Sequence, residues 1–281
     1  MKRVISILLI VLWFAAPAFG EGEFLESVNA FRTRPLDFVH LTGKSPEELR
    51  SLWSEELFRV LLNGAPPLVE VETLDEVARL RAEEILRLGL PLPEDFEEGL
   101  EKLLEDRGAD LLLYREFYIL IAFENPLPED RLRNILLEEL FRGALERRND
   151  VADLLFPCWD VIGAAFTVGD IFIEGEPFHA GVLVLITGAL EKDTPRLLGK
   201  VYGVSEGEEI PLDGVRMVFT KALQPHIRIV TRSWSDGSFC LTGYPEGIYS
   251  VILEHGDFPE KMEWSFLPAR TYRRNYYLFA K

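Results

Sequence analysis

The sequence has little cysteine, little histidine and a deficit of positive charge. Its 281 residues include two cysteines and four histidines, and 30 Lys and Arg stand against 47 Asp and Glu, for a formal net charge of −17. Two cysteines exclude a disulfide-rich scaffold, and without a CxxC motif or a Cys/His cluster no metal site or cofactor is predicted. The shortage of basic residues argues against nucleic acid as a partner, because phosphate binding needs a basic surface.

The longest apolar run lies at the N-terminus. Two basic residues precede the largely apolar residues 4–16, and Ala18 and Gly20 place small side chains where signal peptidase reads them. The run is shorter than the ~20 residues that cross a bilayer. We therefore predict a signal peptide over residues 1–20, cleaved after Gly20, in preference to an uncleaved anchor. The mature chain is then secreted or periplasmic, without a transmembrane segment.

Helix signals dominate residues 21 to about 153. Ser45-Pro46-Glu47-Glu48 is a capping box with proline at the first helical position, and Gly64 is predicted to end that helix. Thr73-Leu74-Asp75-Glu76 repeats the capping box. Apolar residues follow it at helical spacing, and Gly89 is predicted to end this second helix.

The pattern then changes from helix to strand. Two more amphipathic helices are predicted over residues 93–107 and 128–148. Residues 161–168 and 179–187 are apolar runs rich in β-branched side chains, which predicts paired strands. The first domain, residues 21–192, is therefore predicted to be α+β.

Strand-like runs fill the chain after a short linker at Asp193-Thr194-Pro195. Turn pairs such as Asp213-Gly214 and Asp236-Gly237 separate them. Seven strands without a helix predict a second domain, residues 197–281, that is an all-β sandwich. The predicted strands span residues 198–204, 215–221, 227–233, 238–241, 248–253, 261–266 and 272–279.

The acidic excess belongs to the first domain. Residues 197–281 carry ten basic and ten acidic side chains, whereas residues 21–196 carry 18 basic and 37 acidic ones. A partner that depends on charge is therefore predicted to bind residues 21–196.

Four motifs of the second domain identify a likeness to a known family. They are Gly199-Lys200-Val201, IPLDGV at residues 210–215, DGSFCL at residues 236–241 and YPEGIYSV at residues 244–251. Together they resemble the carboxypeptidase regulatory-like (transthyretin-like) domain, which implies a non-catalytic accessory module. Alternation along the strands predicts that Phe239, Leu241, Tyr249 and Val251 point inward.

Five motifs of the first domain occur in the order in which a second known family has them. They are FLESVNAFR at residues 24–32, APPL at 65–68, FEN at 123–125, DLLFP at 153–157 and VIGAA at 161–165. They resemble the CAP superfamily (sperm-coating-protein-like). The resemblance implies an α-β-α sandwich, so that the whole chain is an α+β protein in which a CAP-like sandwich precedes a seven-stranded all-β sandwich.

The resemblance also implies a cleft whose residues this sequence largely lacks. CAP domains can line a cleft with two histidines and two acidic residues able to hold a divalent metal. Residues 88–93 and 147–151, where the family places its histidines, contain none, and Glu124 is retained. A lone carboxylate does not hold a transition metal tightly, because catalytic zinc needs about three protein ligands. The sequence therefore favours a protein that is not an enzyme.

The remaining polar candidates are predicted to have structural or surface roles. His40, His179, His226 and His255 have no partner at metal-ligand spacing. Arg147-Arg148 ends a predicted helix, where cations complement the helix dipole; binding of an anionic ligand is the alternative.

Acidic clusters and the two cysteines complete the candidates. In residues 94–98 the acidic side chains alternate with apolar ones, which is typical of a solvated helix face. Neither this stretch nor residues 170–176 have the ligand spacing of a calcium loop. Cys158 and Cys240 fall in different predicted domains. Export permits a disulfide between them, and the alternative is that both are small buried hydrophobic residues.

The predicted function is non-catalytic binding or interaction at the cell envelope or outside the cell. Its partner is an envelope or extracellular protein, a glycan or a lipid. Two alternatives stay open. A CAP-type hydrolase or metal-dependent enzyme would need a second acid or a histidine within hydrogen-bond reach of Glu124. A lipid-binding or apolar-ligand protein would need an apolar cavity of roughly 300 Å³ or more in the first domain.

The signal peptide is tested by the mass of the exported chain. We expect a mature N-terminus at Glu21, and we expect Ala18→Arg to block cleavage because signal peptidase requires a small side chain there. Phe19→Tyr, at the intervening position, is the control and should be processed normally. An exported chain that keeps residues 1–20 would contradict the prediction.

Overall fold

The chain folds into helices followed by mainly antiparallel sheets, which confirms the α+β class. The computed structural model describes residues 23–93, 96, 98–147, 151–173 and 176–280. The predicted signal peptide lies outside these residues. No helix in the described part of the chain is long and apolar enough to cross a membrane. The chain divides into two compact units.

The first unit is built around a four-stranded sheet. It contains the described residues up to Gly43 together with residues 66–145 and 159–190. The strand order is β1-β3-β4-β2, with β1 parallel to β3 and the other pairs antiparallel. The strands are β1 (Val69–Glu70), β2 (Leu113–Phe123), β3 (Val161–Ile173) and β4 (Glu176–Ala189).

Helices cover both faces of this sheet. A Cβ on Gly163 of β3 would meet α4 (Glu72–Leu88), whereas one on Gly181 of β4 would meet Leu132 of α6 (Glu129–Leu145). The strand register puts these two glycines on opposite faces, so the unit has α-β-α layers. One layer contains α4 (Glu72–Leu88) and α5 (Glu98–Asp106); the other contains α6 (Glu129–Leu145), the 3₁₀ segment Pro35–Thr42 and α1 (Glu23–Thr33).

Strand β2 lies in the stretch that the sequence predicts to be helical, and that part of the prediction is wrong. Its aromatic and β-branched side chains, such as Phe117 and Ile121, favour a strand, and it pairs with β4 along its whole length. Glu116 of β2 accepts hydrogen bonds of 2.8 and 3.0 Å from the buried Arg81 of α4. Both partners are distant in sequence, so local periodicity does not reveal them.

The first predicted helix is divided in two. Ser45 and Glu48 exchange both hydrogen bonds of the predicted capping box, which confirms the start of α2 (Pro46–Leu52). The predicted end at Gly64 is wrong for this helix. Ser54 caps a separate helix, α3 (Glu55–Asn63), by accepting a hydrogen bond from a backbone N–H of its first turn.

The second predicted capping box does not form. Helix α4 begins at Glu72 without a side-chain cap, so Thr73 already lies inside the helix. Asp75 accepts a 2.7 Å hydrogen bond from the Ala164 N–H of β3 instead. A tertiary contact has replaced the local one. The predicted end of this helix at Gly89 is confirmed.

The second unit consists of a β-sandwich and two earlier segments of the chain, residues 44–65 and 146–158, which we call the added segments. It contains residues 44–65, 146–158 and the residues from 191 onward. One sheet has the order β11-β10-β7-β8; in the other, β5 pairs with β6, β9, β12 and β13. The strands are β5 (Arg196–Ser205), β6 (Glu208–Pro211), β7 (Arg216–Lys221), β8 (Gln224–Arg232), β9 (Ser238–Thr242), β10 (Gly247–His255), β11 (Phe258–Leu267), β12 (Thr271–Arg273) and β13 (Tyr276–Phe279).

The core of the sandwich follows the predicted alternation. Phe239, Leu241, Tyr249 and Val251 are all buried, which confirms their inward orientation. The period of two along each strand therefore correctly identifies these core positions.

The described residues form nine strands in this unit, two more than predicted. Strand β6 is one addition, and the last predicted strand divides into β12 and β13 beside Gly199 of β5. At this break the Arg274 N–H donates a 3.0 Å hydrogen bond to the Leu198 carbonyl oxygen. A Cβ on Gly199 would lie 1.9 Å from the Arg274 carbonyl oxygen, so the close approach requires glycine.

The added segments pack around Trp234, which lies between β8 and β9. Trp234 is buried, with its ring centroid 6.1 Å from Trp53 and 6.0 Å from Phe156, both in edge-to-face contact. The Ser235 hydroxyl donates a 2.8 Å hydrogen bond to the buried carboxylate of Asp153. Trp53 and Phe156, which are far apart in sequence, thus both pack against the ring of Trp234.

Cys158 and Cys240 form a disulfide in the structure, with Cα atoms 6.1 Å apart. Cys158 ends the second added segment and Cys240 lies on β9, so both belong to the second unit. The bond attaches the segment that carries Asp153 and Phe156 to the sandwich.

Gly163→Ala tests the packing of α4 on β3. A Cβ at this position would lie 2.1 Å from the Leu74 carbonyl carbon, so we expect the free energy of unfolding to fall by about 3 kcal/mol. Denaturant unfolding followed by circular dichroism measures the change. Gly256→Ala is the control, since a Cβ there has no atom within 4 Å. Equal midpoints for wild type and Gly163→Ala would contradict this packing.

Replacing both cysteines by serine tests the disulfide. The bond joins positions 82 residues apart, so we expect the double variant to lose about 3 kcal/mol of stability. Reductant should lower the unfolding midpoint of the wild type and leave that of the double variant unchanged. Two titratable thiols in the native wild-type protein would contradict the pairing.

Candidate functional site

Glu124 lies exposed in the turn that follows β2. Its neighbour Phe123 pairs with His179 of β4, and His179 Nδ1 lies 3.4 Å from Asp170 Oδ1. This end of the sheet therefore carries an imidazole beside a carboxylate, and the imidazole belongs to the residue paired with Phe123, which precedes Glu124. Within the described residues, Glu124 itself makes no hydrogen bond or ion pair.

The other three histidines lie on other elements of the chain. His40 Nδ1 is 3.0 Å from the backbone oxygen of Asp37, in the 3₁₀ segment of the first unit. His226 is exposed on β8. His255 ends β10, with its ring centroid 5.7 Å from that of Phe258. The four histidines thus lie on four different elements.

Arg147 pairs with Asp213 of the second unit at 3.0 Å and lies over the Trp53 ring at 5.4 Å from its centroid. The Arg147 guanidinium therefore contacts side chains of the protein itself. Arg148 lies outside the described residues.

The predicted acidic clusters are described only in part. Phe96 is buried and stacks under the Arg81 guanidinium, 3.6 Å from the ring centroid, and Glu98 begins α5. Residues 94, 95, 97, 174 and 175 lie outside the described residues. In the part of the chain that the structure describes, no group of three or more His, Cys, Asp or Glu is placed to hold a metal ion.

The most distinctive surface of the second unit is the outer face of the sheet β11-β10-β7-β8. The strand register arranges its side chains in four rows across the sheet, of which the first is apolar and the last is charged. The rows are Phe266 and Ile248; Trp264, Ser250, Thr220 and Arg228; Met262, Ile252, Val218 and Val230; Glu254, Arg216 and Arg232.

Helix α3 lies against the β8 side of this face at its charged end. Glu56 of α3 accepts a 2.6 Å hydrogen bond from Arg232 Nε and lies 3.6 Å from Arg216 Nε. Arg216 also donates a 2.7 Å hydrogen bond to Glu254. Burial raises the pKa of Glu56, but the hydrogen bond from Arg232 and the two positive charges hold that pKa below its ordinary value.

The β10–β11 side of the same face carries exposed apolar side chains. Ile248, Met262, Trp264 and Phe266 are 55%, 61%, 58% and 55% exposed, and we call these four residues the apolar strip. Monomeric soluble proteins rarely leave large contiguous apolar patches in water. The strip is therefore a candidate interaction surface.

A groove of about 520 Å³ opens at the charged end of the face. Its lining is polar and charged, which differs from the apolar lining of a lipid pocket. The lining residues are Asp213, Gly214, Arg216, Arg232, Glu254, His255, Gly256 and Glu260.

Strand β11 lies at the sheet edge and turns charged side chains inward. Lys261 Nζ lies 2.9 Å from the Glu263 carboxylate and donates a 3.0 Å hydrogen bond to the Tyr277 carbonyl oxygen of the other sheet. Arg274 donates a 2.8 Å hydrogen bond to the same carboxylate. Inward charges on an edge strand oppose its pairing with a further strand.

Sequence reasoning missed the apolar strip. It predicts a strand over residues 261–266, but an alternation of apolar and charged residues is normally oriented with the apolar side inward. Here Met262, Trp264 and Phe266 point outward. The alternation is the same for both orientations, so only the partners of Lys261 and Glu263 reveal which one forms.

Comparisons with known proteins show distant likenesses only. No family model and no curated protein matches the sequence. A cysteine-rich secretory protein from Staphylococcus aureus is 16% identical over 52% of this chain and 40% of that one, with a TM-score of 0.28. A minor pilin of Streptococcus agalactiae is 14% identical over 34% and 48%, with a TM-score of 0.26. The Bacillus anthracis TIE protein is 12% identical over 81% and 55%, with a TM-score of 0.26. The chain spans less than two thirds of each of these structures.

Proposed function

We propose that the protein is an exported binding protein that acts at the cell envelope or outside the cell without a catalytic role. The apolar strip carries this proposal. Four large apolar side chains, each more than half exposed on one sheet face, remain in water until a partner covers them. Covering the exposed half of one such side chain contributes roughly 1 kcal/mol, so several of them covered together support specific binding.

The location outside the cytoplasm rests on the signal peptide over residues 1–20, with cleavage after Gly20. A disulfide between Cys158 and Cys240 supports it, because such bonds persist in oxidising compartments. The mature chain is then secreted or periplasmic.

The proposed organisation assigns residues 21–192 to a CAP-like domain and residues 197–281 to a carboxypeptidase regulatory-like sandwich. The α-β-α layering of the first unit supports the CAP-like assignment. In this proposal Glu124 is a surface carboxylate, and the sandwich supplies the binding surface.

Binding to the envelope fraction of the producing cells tests the proposal. We expect the mature protein to sediment with this fraction, and we expect Trp264→Ser combined with Phe266→Ser to reduce its affinity at least about tenfold, since the two losses together remove more than about 1.4 kcal/mol. Both side chains are more than half exposed, so the unfolding midpoint should be unchanged.

Phe172→Ser is the matched control, because Phe172 of the first unit is 60% exposed and lies outside the apolar strip. It should bind like the wild type. Equal binding by the double variant and the wild type, or an equal loss in Phe172→Ser, would show that the strip is not the binding surface.

A further inference from the structure

The shape of the apolar strip restricts its partner. Met262, Trp264 and Phe266 are successive outward residues of β11, so they span about 14 Å along the strand, and Ile248 lies opposite Phe266 on β10. They lie on a sheet face and not in a cavity. The partner must therefore be extended and must present a flat apolar face.

Polar groups border the strip on one side. Ser250, Thr220 and Arg228 continue the row of Trp264 across the sheet. The Ser250 hydroxyl donates a 3.4 Å hydrogen bond to the Thr220 carbonyl oxygen, and Arg228 is exposed. Ser250 thus places a hydroxyl group beside Trp264, whereas Arg228 lies three strands away on β8. A matching partner carries polar groups at the rim of its apolar face.

Charge complementarity favours an uncharged partner. The strip contains no charged side chain, and residues 197–281, which form the strands around it, carry ten basic and ten acidic side chains. Such a surface has no net charge with which to attract a charged polymer. An uncharged polymer does not need that attraction.

Two other occupants fit less well. A peptide strand or a second copy that extends the sheet would pair with the edge of β11, where the inward Lys261 and Glu263 oppose pairing. An acyl chain needs a concave apolar pocket, whereas the groove beside the strip has a charged lining.

We propose that the apolar strip binds an extended, uncharged polysaccharide. Its sugar rings stack on Trp264 and Phe266, and one of its hydroxyl groups donates a hydrogen bond to the Ser250 hydroxyl oxygen. The C–H groups on one face of a pyranose ring are apolar and slightly positive, which suits the negative face of an aromatic ring. This inference rests on the proposed function and adds the chemical class of the partner.

The experiment uses the full mature chain and uncharged glycans. β-1,4-linked hexasaccharides of glucose and of N-acetylglucosamine are titrated calorimetrically, and cellulose and chitin are used for co-sedimentation. We expect Trp264→Ala to weaken binding at least about tenfold and Trp264→Phe to stay within about threefold of wild type. Phe172→Ala is the control and should bind like wild type. Binding should hardly change between about 0.05 M and about 0.5 M salt, because no ion pair forms with the ligand.

Several results would overturn the proposal. They are the absence of binding to all four glycans, equal binding by Trp264→Ala, and stronger binding to heparin than to the uncharged glycans. Dimerisation or binding to phosphatidylcholine vesicles that Trp264→Ala abolishes would also overturn it, and would assign the strip to a second copy or to lipid. If the glycans fail while envelope binding still depends on Trp264 and Phe266, the carbohydrate assignment falls and the proposed function stands.

Discussion

The carboxylate of Glu56 lies between the guanidinium groups of Arg232 and Arg216 and holds α3 against the β8 side of the outer sheet face. The two positive charges offset the unfavourable burial of this carboxylate and keep its pKa low. Helix α3 thus lies against β8 at one edge of the sheet, whereas Trp264 and Phe266 lie on β11 at the other edge and are more than half exposed.

The orientation of β11 completes the surface. An edge strand with its apolar side chains inward would bury Trp264 and leave Lys261 and Glu263 in water. The observed orientation stabilises the charged pair through Tyr277 and Arg274 and exposes the aromatic rings. Inward charges also protect the edge from pairing with other chains. The face of the sheet is therefore accessible to a partner, whereas its edge is protected from pairing with a further strand.

The first unit carries the acidic and histidine candidates of the sequence. It places His179 beside Asp170 and leaves Glu124 exposed in the turn after β2. A hydrolase that uses Glu124 would need a second acid or a histidine within hydrogen-bond reach of it. The apolar strip, by contrast, is a positive feature with a physical reason to bind, since water leaves its four side chains when a partner arrives.

Local sequence determined the elements that depend on local chemistry: the capping box at Ser45, the end of α4 at Gly89, the inward alternation through Phe239 and Tyr249, and the α+β class. Tertiary structure decided what depends on distant partners. Strand β2 forms because it pairs with β4, and α4 begins without the predicted cap because Asp75 bonds to β3. Trp264 faces outward because Lys261 and Glu263 find partners inside. An alternating pattern specifies two faces of a strand, and only the neighbours of that strand specify which face is buried.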